Sequence, residues 1–501
     1  TPGRFNTKHL GIQNLSATLS LKALTPDSLN AQIKRLSFNE QSGFKLKKLA
    51  LKLTANHYGL QANNVEVSLP QSELAIDTLA VAHDSASSFP IFNNDTQYMA
   101  RMHASIALSD LAMFVPSFAH FDDDINLRIA LEGKGYQTKC TDIYLSNDDQ
   151  SLLLKGEAMI NHWNEKNNLF LFGNLSQLDA DKEGISWLIQ NLTGKANAPD
   201  ILQRIGDISF NGDISGYLNQ LTTHGTLLTD VGNIRANVTM HSDTITHLRS
   251  YSGKIISPEL NLGMLLNQEK TLGNAAFDIE LQGFKYNNGK AESYIKGNIS
   301  SLTYKQYEYR NIMLDGKYTP GGFNGKLSLD DSNGNIEING HFATRQAVPD
   351  FNLRAVVRNF RPNDLHLTDK YKDTDMSLNL TADFSGHSID DMQGKISIDS
   401  VSVNAPEEAQ CYYLDNLSIT AGNTGKNKEK QIEIHSPFLN GSVKGDYSYR
   451  TLPASILKTL QRYIPSLLAL NKELPETNNN FQFHFQLDNT ESVSYTHLRA
   501  H

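Results

Sequence analysis

The feature that most constrains this chain is two-residue alternation of apolar and polar side chains along most of its 501 residues. Leu49, Leu51 and Leu53, then Val65, Val67 and Leu69, then Ile125, Leu127, Ile129 and Leu131, then Phe277, Ile279 and Leu281 each place apolar groups on one face of an extended segment. The pattern continues through Leu327 and Leu329, Ile336 and Ile338, Leu378 and Leu380, Ile396 and Ile398, Ile432 and Ile434, and Phe481, Phe483 and Phe485. A helix would scatter such residues around its axis, so the segments read as half-buried strands. Between them Asn288-Gly289, Gly321-Gly322, Asn333-Gly334, Asn339-Gly340 and Asn440-Gly441 favour left-handed backbone and predict hairpins, hence antiparallel pairing.

Strands with one apolar face must bury it, and few helical stretches are present to do so. One sheet curled along its length solves this by turning its apolar faces toward one another. At roughly 12 to 16 residues per strand and turn this gives about 30 to 40 strands, spaced ~4.8 Å apart. The expected fold is therefore mainly β: a long curled antiparallel β-sheet, β-taco or solenoid-like, with an apolar groove and a few short helices. The segments are 1–95 (sheet), 96–205 (sheet with helical inserts), 206–450 (central sheet repeats), 451–472 (amphipathic helix) and 473–490 (strand). Residues 491–501 break the pattern and read as a non-native tail, and the start at Thr1-Pro2-Gly3-Arg4 reads as that of an internal fragment.

Short helices are expected near Ser109–Pro116, where Asp110 caps a turn, at 182–191, at 199–205 and around 258–267. The strongest lies between Pro453 and Leu470, where Ile456, Leu457, Leu460, Ile464, Leu467 and Leu468 recur at three- and four-residue steps and Pro465 introduces a kink. A degenerate repeat is also visible. Gly297-Asn298-Ile299 leads to Tyr309-Arg310-Asn311-Ile312, as Gly394-Lys395-Ile396 leads to Leu414-Asp415-Asn416-Leu417.

Composition excludes several function classes. A net charge of -9 gives no general attraction to phosphate backbones, so no nucleic-acid partner is expected. With 39% hydrophobic and 20% charged residues the chain is too apolar for disorder, and a mean hydropathy of -0.40 is too polar for a helical membrane bundle. Cys140 and Cys411 form no C-x-x-C motif, and a disulfide between them is left open. His241-Ser242-Asp243 with His247 lacks the spacing of a zinc site. Asp122, Asp123 and Asp124, and Asp330 with Asp331, read as solvated turns rather than calcium or acid-base pairs. No nucleophile elbow occurs, and Gly206, Gly212 and Gly216 do not make a phosphate loop. No catalytic residue, metal or cofactor is expected.

The run Ile205–Gly212 followed by Gly225–Gly232 resembles the central region of TamB-type translocation and assembly module proteins, within the AsmA-like group and particularly those of the Bacteroidetes. Similar matches are Asn261-Leu262-Gly263 through Leu272-Gly273, Gly297 to Leu314, Gly325–Asp330, and Leu452–Ser455 through Tyr463-Ile464-Pro465. Together they cover most of residues 10–488. The resemblance implies the periplasmic part of an inner-membrane-anchored envelope protein that spans toward the outer membrane, passes phospholipid along an apolar groove and supports outer-membrane biogenesis. It implies two further partners, the inner membrane through an N-terminal helix and an Omp85-class barrel through a C-terminal region, neither evident in this stretch.

On that reading the groove is lined by Leu49, Leu51, Leu53, Val65, Val67, Ile129, Ile279, Leu327, Leu329, Ile336, Ile338, Leu378, Leu380, Ile396, Ile398, Ile432, Ile434, Phe483 and Phe485. Ile456, Leu457, Leu460, Ile464, Leu467 and Leu468 plug or cap it. Two other classes share the strands: a β-solenoid adhesin, passenger or assembly scaffold with a filled core, and a carbohydrate-active β-helix, which would need clustered carboxylates.

Overall fold

The computed structural model describes residues 11–25, 28–41, 43–83, 92–112, 124–193, 200–243, 245–246, 248–285, 291–344, 348–405, 410–424, 429–463 and 478–488. Among them the chain is mainly β: 26 strands, all paired antiparallel, with a few short helices, and within neither of its two units does a pairing join the first strand to the last. Among the described residues there are 26 strands against the 30 to 40 expected, because helices and long connections such as those between β10 and β11 or β20 and β21 take up sequence between strands. Two compact units, Thr1–Gln268 and Glu269–His501, divide the chain.

In the first unit the strands are β1 (Ile12–Thr25), β2 (Ser28–Glu40), β3 (Lys45–Asn56), β4 (Gly59–Ser68), β5 (Glu73–Ala82), β6 (Gln97–Ala107), β7 (Asp124–Lys134), β8 (Gln137–Asn147), β9 (Leu152–Asn161), β10 (Phe170–Ala180), β11 (Ile208–Tyr217), β12 (Gln220–Thr229), β13 (Gly232–Ser242) and β14 (Arg249–Asn261). Each pairs antiparallel with the next. Helices α1 (Lys182–Thr193) and α2 (Asp200–Ile205) follow β10, and α3 (Leu262–Leu266) follows β14. Because neighbouring strands alternate in direction, connections after even-numbered strands share one rim of the unit and those after odd-numbered strands share the other.

The second unit holds β15 (Leu272–Lys285), β16 (Ala291–Tyr304), β17 (Tyr307–Thr319), β18 (Gly322–Asp331), β19 (Gly334–Ala343), β20 (Asp350–Phe360), β21 (Asp375–Ser385), β22 (Gln393–Ala405), β23 (Gln410–Thr424), β24 (Glu429–His435), β25 (Leu439–Asp446), α4 (Leu452–Tyr463) and β26 (Asn480–Leu487). Its strands also pair in sequence order.

Bulges interrupt many ladders. Asn64 (φ 50°), Asp142 (φ 52°) and Asn359 (φ 49°) adopt left-handed backbone where the registers of β3/β4, β7/β8 and β20/β21 slip. Short amide and carboxylate side chains tolerate that conformation and each bulge bends its strand. Each also resets the alternation: Ala62 and Val65 share a face across Asn64, as Cys140 and Ile143 do across Asp142. The repeat acquires a backbone counterpart in Asn311 (φ 52°) and Asn416 (φ 51°), both left-handed within a strand.

Several local expectations need correction. Asn339-Gly340 and Asn440-Gly441 lie inside β19 and β25, not in turns. Gly441 is required there because a Cβ would meet the Phe485 ring at 2.1 Å, so the glycine makes room for an aromatic neighbour. Asp110 does not cap the 3-10 turn Leu108–Leu111; its carboxylate accepts from Gln71 N (2.8 Å) and Ser72 Oγ (2.9 Å) across the rim. Asp331 is buried rather than solvated, accepting from Tyr307 Oη, Arg310 N (3.0 Å) and Asn333 N (3.0 Å). Pro258 belongs to β14, and only residues 262–266 of the stretch around 258–267 are helical. Cys140 is a free, buried thiol, which closes the question of a disulfide at that position. Asn288-Gly289, Asp122, Asp123, His247, the kink at Pro465 and the 491–501 tail lie outside the described residues.

Candidate functional site

Cross-strand register assembles the alternating apolar residues into continuous rows. In the first unit Leu36, Leu49, Val67, Leu74, Ala104, Leu127, Leu145, Leu154, Leu178, Phe210, Leu227 and Ile234 are successive register partners from β2 to β13. Every member is apolar, and only Ala104 is fully buried; the others stay half-buried. In a core between two packed layers such side chains would be almost wholly covered. Leu51, Leu53, Val65 and Ile129 lie on the same face, Ile129 opposite Met102.

In the second unit one row runs Phe277, Ile299, Ile312, Leu329, Ile336, Val357, Leu378, Val401, Leu414. Beside it lie Ile279, Leu327, Ile338, Leu380 and Ile398, and further along the strands Ile396 and Ile434, Ile432 and Val443, and Phe483 and Phe485. Phe323, Phe342, Phe351 and Phe384 form an aromatic row on this face, their centroids 6.2, 6.5 and 4.9 Å apart. Register thus places all nineteen anticipated lining residues on the apolar face of their own unit. Val65 and Leu329 are fully buried there, Ile338 is exposed and the rest are half-buried.

Parts of the face are covered. Ile185 and Trp187 of α1 and Leu202 of α2 pack on Leu145, Leu152, Leu178, Ala180 and Ile208 along the even rim of the first unit. Asn147 and Ser257 on that rim are satisfied: Asn147 accepts from Leu152 N (2.8 Å) and donates to Ser151 Oγ (2.7 Å), and Ser257 Oγ donates to Asn233 O (2.7 Å). In the second unit the segment after β20 drops Leu365, 0% exposed, onto Tyr309, Leu329, Ile312 and Ile336. Leu329 is therefore a packed core residue rather than free lining.

Near β24 to β26, Leu452 and Ile456 of α4 close over Val443, Tyr447, Phe481, Phe483 and Phe485. Asn479 bonds Ser448 N (3.1 Å) and Ser455 Oγ (2.7 Å), and Asp390 accepts from Ser448 Oγ (3.1 Å) and Tyr449 N (2.6 Å), so the helix start is tied down. Leu457 and Leu460 are half-buried on the same helix; Ile464, Leu467 and Leu468 lie outside the described residues.

The other face is charged. Lys317–Glu292 (2.7 Å), Arg128–Asp142 (3.0 Å) and Lys326–Glu337 (3.6 Å) cross between strands with both partners solvated, so each adds little stability. Two open depressions of about 660 Å³ lie on it, one around Met99, Lys139 and Met159 and one around Lys48, Glu66 and Arg128. Among the described residues no cluster of three or more His, Cys, Asp or Glu side chains is placed to share a metal ion, and no helix is long and apolar enough to cross a membrane.

Burial on the apolar side perturbs acids. Burial raises the Cys140 thiol above its ordinary value, and the Tyr309 phenol is pushed up to about 12 by burial, reinforced by Tyr307 and Tyr304. Tyr309 Oη donates to Leu365 O (2.7 Å). A raised phenol pKa means the folded state holds the proton more tightly. The associated stability is full below the unfolded value of 10 and is lost as pH rises through about 12. Thermal melts from pH 8 upward are expected to show the second unit losing stability across that window, and Tyr309→Phe to reduce this dependence in part, since Tyr307, Tyr447 and Tyr449 are also raised by burial, while lowering the melt at pH 8.

Ten members of the first unit's row, including Leu74, Leu145, Phe210 and Leu227, were not anticipated as lining from sequence. Their strands carry the same alternation, but bulges shift its phase, and only the register shows which runs join. Comparison with known proteins adds no assignment: no family model, no curated protein and no solved structure matches the chain.

Proposed function

We propose that this protein carries phospholipid acyl chains along the apolar face of its sheet, as a non-enzymatic conduit of the TamB-like kind. One observation supports the reading above others: an unbroken register row of apolar side chains across β2 to β13, all but Ala104 incompletely buried. Each acyl methylene laid on such a surface gains about 0.8 kcal/mol relative to water. Because neighbouring strands offer equivalent contacts, a lipid can shift along the row without re-entering water, and no catalytic group is needed. The sequence resemblance supplies the rest of the proposal: a periplasmic setting, anchorage to the inner membrane, an Omp85-class outer-membrane barrel as partner, and a role in outer-membrane biogenesis.

Native mass spectrometry of protein expressed in a Gram-negative periplasm, followed by lipid extraction, tests the reading. The expected result is co-purifying phospholipid, several molecules per chain. Lipid-free protein released under gentle conditions would overturn it and leave an adhesin, passenger or assembly scaffold.

A further inference from the structure

Along the odd rim of the first unit, successive hairpins end in exposed large apolar residues: Tyr58 between β3 and β4, Phe92 between β5 and β6, Trp163 between β9 and β10, Leu218 between β11 and β12, and Ile245 between β13 and β14. The intervening β7–β8 hairpin adds Tyr136, whose ring lies 5.6 Å from Phe92 and 5.2 Å from Trp163. Exposed large apolar groups occur singly on most soluble proteins, whereas a row on consecutive hairpins marks a surface with an occupant. The even rim is covered in part: α1 and α2 pack over the apolar face there and Ser72, Asn147 and Ser257 are hydrogen-bonded at its described turns, while Ile201, Met264 and Leu266 of its helices stay exposed without ring contacts to one another.

The aromatic rim is continuous with the apolar face. Tyr98 belongs to that face, in register with Gly133 and Thr138, and its ring lies 5.8 Å from Phe92. Among the described residues of these hairpins, Asp95, Glu165 and Asp243 balance Lys134, Lys166 and Arg249, and Asp95 pairs with Lys134 at 3.7 Å. Tyr and Trp rings with neutral polar surroundings match the glycerol and ester level of a phospholipid, where an apolar body meets wet polar groups.

We infer that the odd rim of the first unit is the mouth through which phospholipids enter, with acyl chains on the apolar face and the glycerol–headgroup region against these hairpins, without selection for headgroup charge. The inference rests on the conduit reading and adds which rim is open and what it discriminates. Without a surplus of positive charge among its described residues, the rim is expected to show no preference for an anionic headgroup over a zwitterionic one.

The two tryptophans of the chain provide the test, because Trp163 sits on the odd rim and Trp187 packs at the even rim. Trp187→Phe leaves Trp163 as the sole indole, and Trp163→Phe leaves Trp187. Each protein is loaded from phosphatidylethanolamine vesicles containing a headgroup-spin-labelled phospholipid. Strong quenching of Trp163 with little quenching of Trp187 is expected. Quenching of Trp187 alone, or of neither although lipid is bound, would overturn the rim assignment and leave the conduit reading standing. Absence of bound lipid in both would sink the conduit reading itself.

Two measurements do not depend on α1 tolerating Phe at position 187. Tyr58→Ser with Trp163→Ser, both at exposed tips, is expected to slow loading by about tenfold. Unchanged loading in that double variant would count against the mouth. Equal loading from phosphatidylethanolamine and phosphatidylglycerol vesicles is expected, and a large preference for either would refute the absence of charge selection.

Discussion

Ile338→Asp should strip bound phospholipid from the second unit while leaving its sheet folded, whereas Met313→Asp should leave both intact. Ile338 is 36% exposed on the apolar face, in register with Leu327 and Ala355. A carboxylate there keeps its hydration when the face is empty, so the fold loses only strand propensity and some contact area, on the order of 1 kcal/mol. With acyl chains in place the same carboxylate must be desolvated or displace them, and either penalty is several times larger. Lipid occupancy should therefore fall by about tenfold or more. Met313 is exposed on the charged face, one strand beyond Leu327, and an added aspartate there stays in water. Lipid counts by native mass spectrometry, with circular dichroism as the folding control, decide the matter. Equal loss of lipid in both variants would show that the apolar face is not the binding surface.

Leu365→Ala has the largest expected effect on stability. The side chain is 0% exposed and fills the space above Tyr309, Leu329, Ile312 and Ile336, and its carbonyl receives the Tyr309 hydroxyl. Truncation leaves a cavity under a segment that cannot collapse without moving β20, so a loss of about 2–5 kcal/mol is expected in the second unit. Hydrogen exchange should locate it as faster opening of β17 to β20 with little change in β2 to β13. Exchange that rises evenly along the chain, or not at all, would show that Leu365 is not what closes this part of the face.

Much of the architecture was legible because strand alternation is a short-range property. Leu378 and Leu380, or Phe483 and Phe485, reveal their shared face from sequence spacing alone, and β26 and the start of the helix at α4 fall where the pattern puts them. Failures came where one local signal has two structural outcomes. Asn-Gly favours a left-handed turn, yet at 339–340 and 440–441 the glycine serves a close approach within a strand. Two adjacent aspartates suggest a solvated turn, yet Asp331 is turned inward by the Tyr307 hydroxyl and two backbone amides.

By itself the sequence determined the strand class, the antiparallel connections, the residues available to form an apolar face and the amphipathic start of α4, since each depends on periodicity and turn chemistry within a few residues. Tertiary structure alone decided which strands' apolar residues join into rows, which rim α1 and α2 cover, and that Leu329 is core whereas Ile338 is accessible. Register depends on bulges at Asn64, Asp142 and Asn359, each of which shifts the pairing by a residue, and the coverage of a side chain depends on segments distant in the chain, such as Leu365 over Tyr309. Neither quantity is written in the spacing of neighbouring residues.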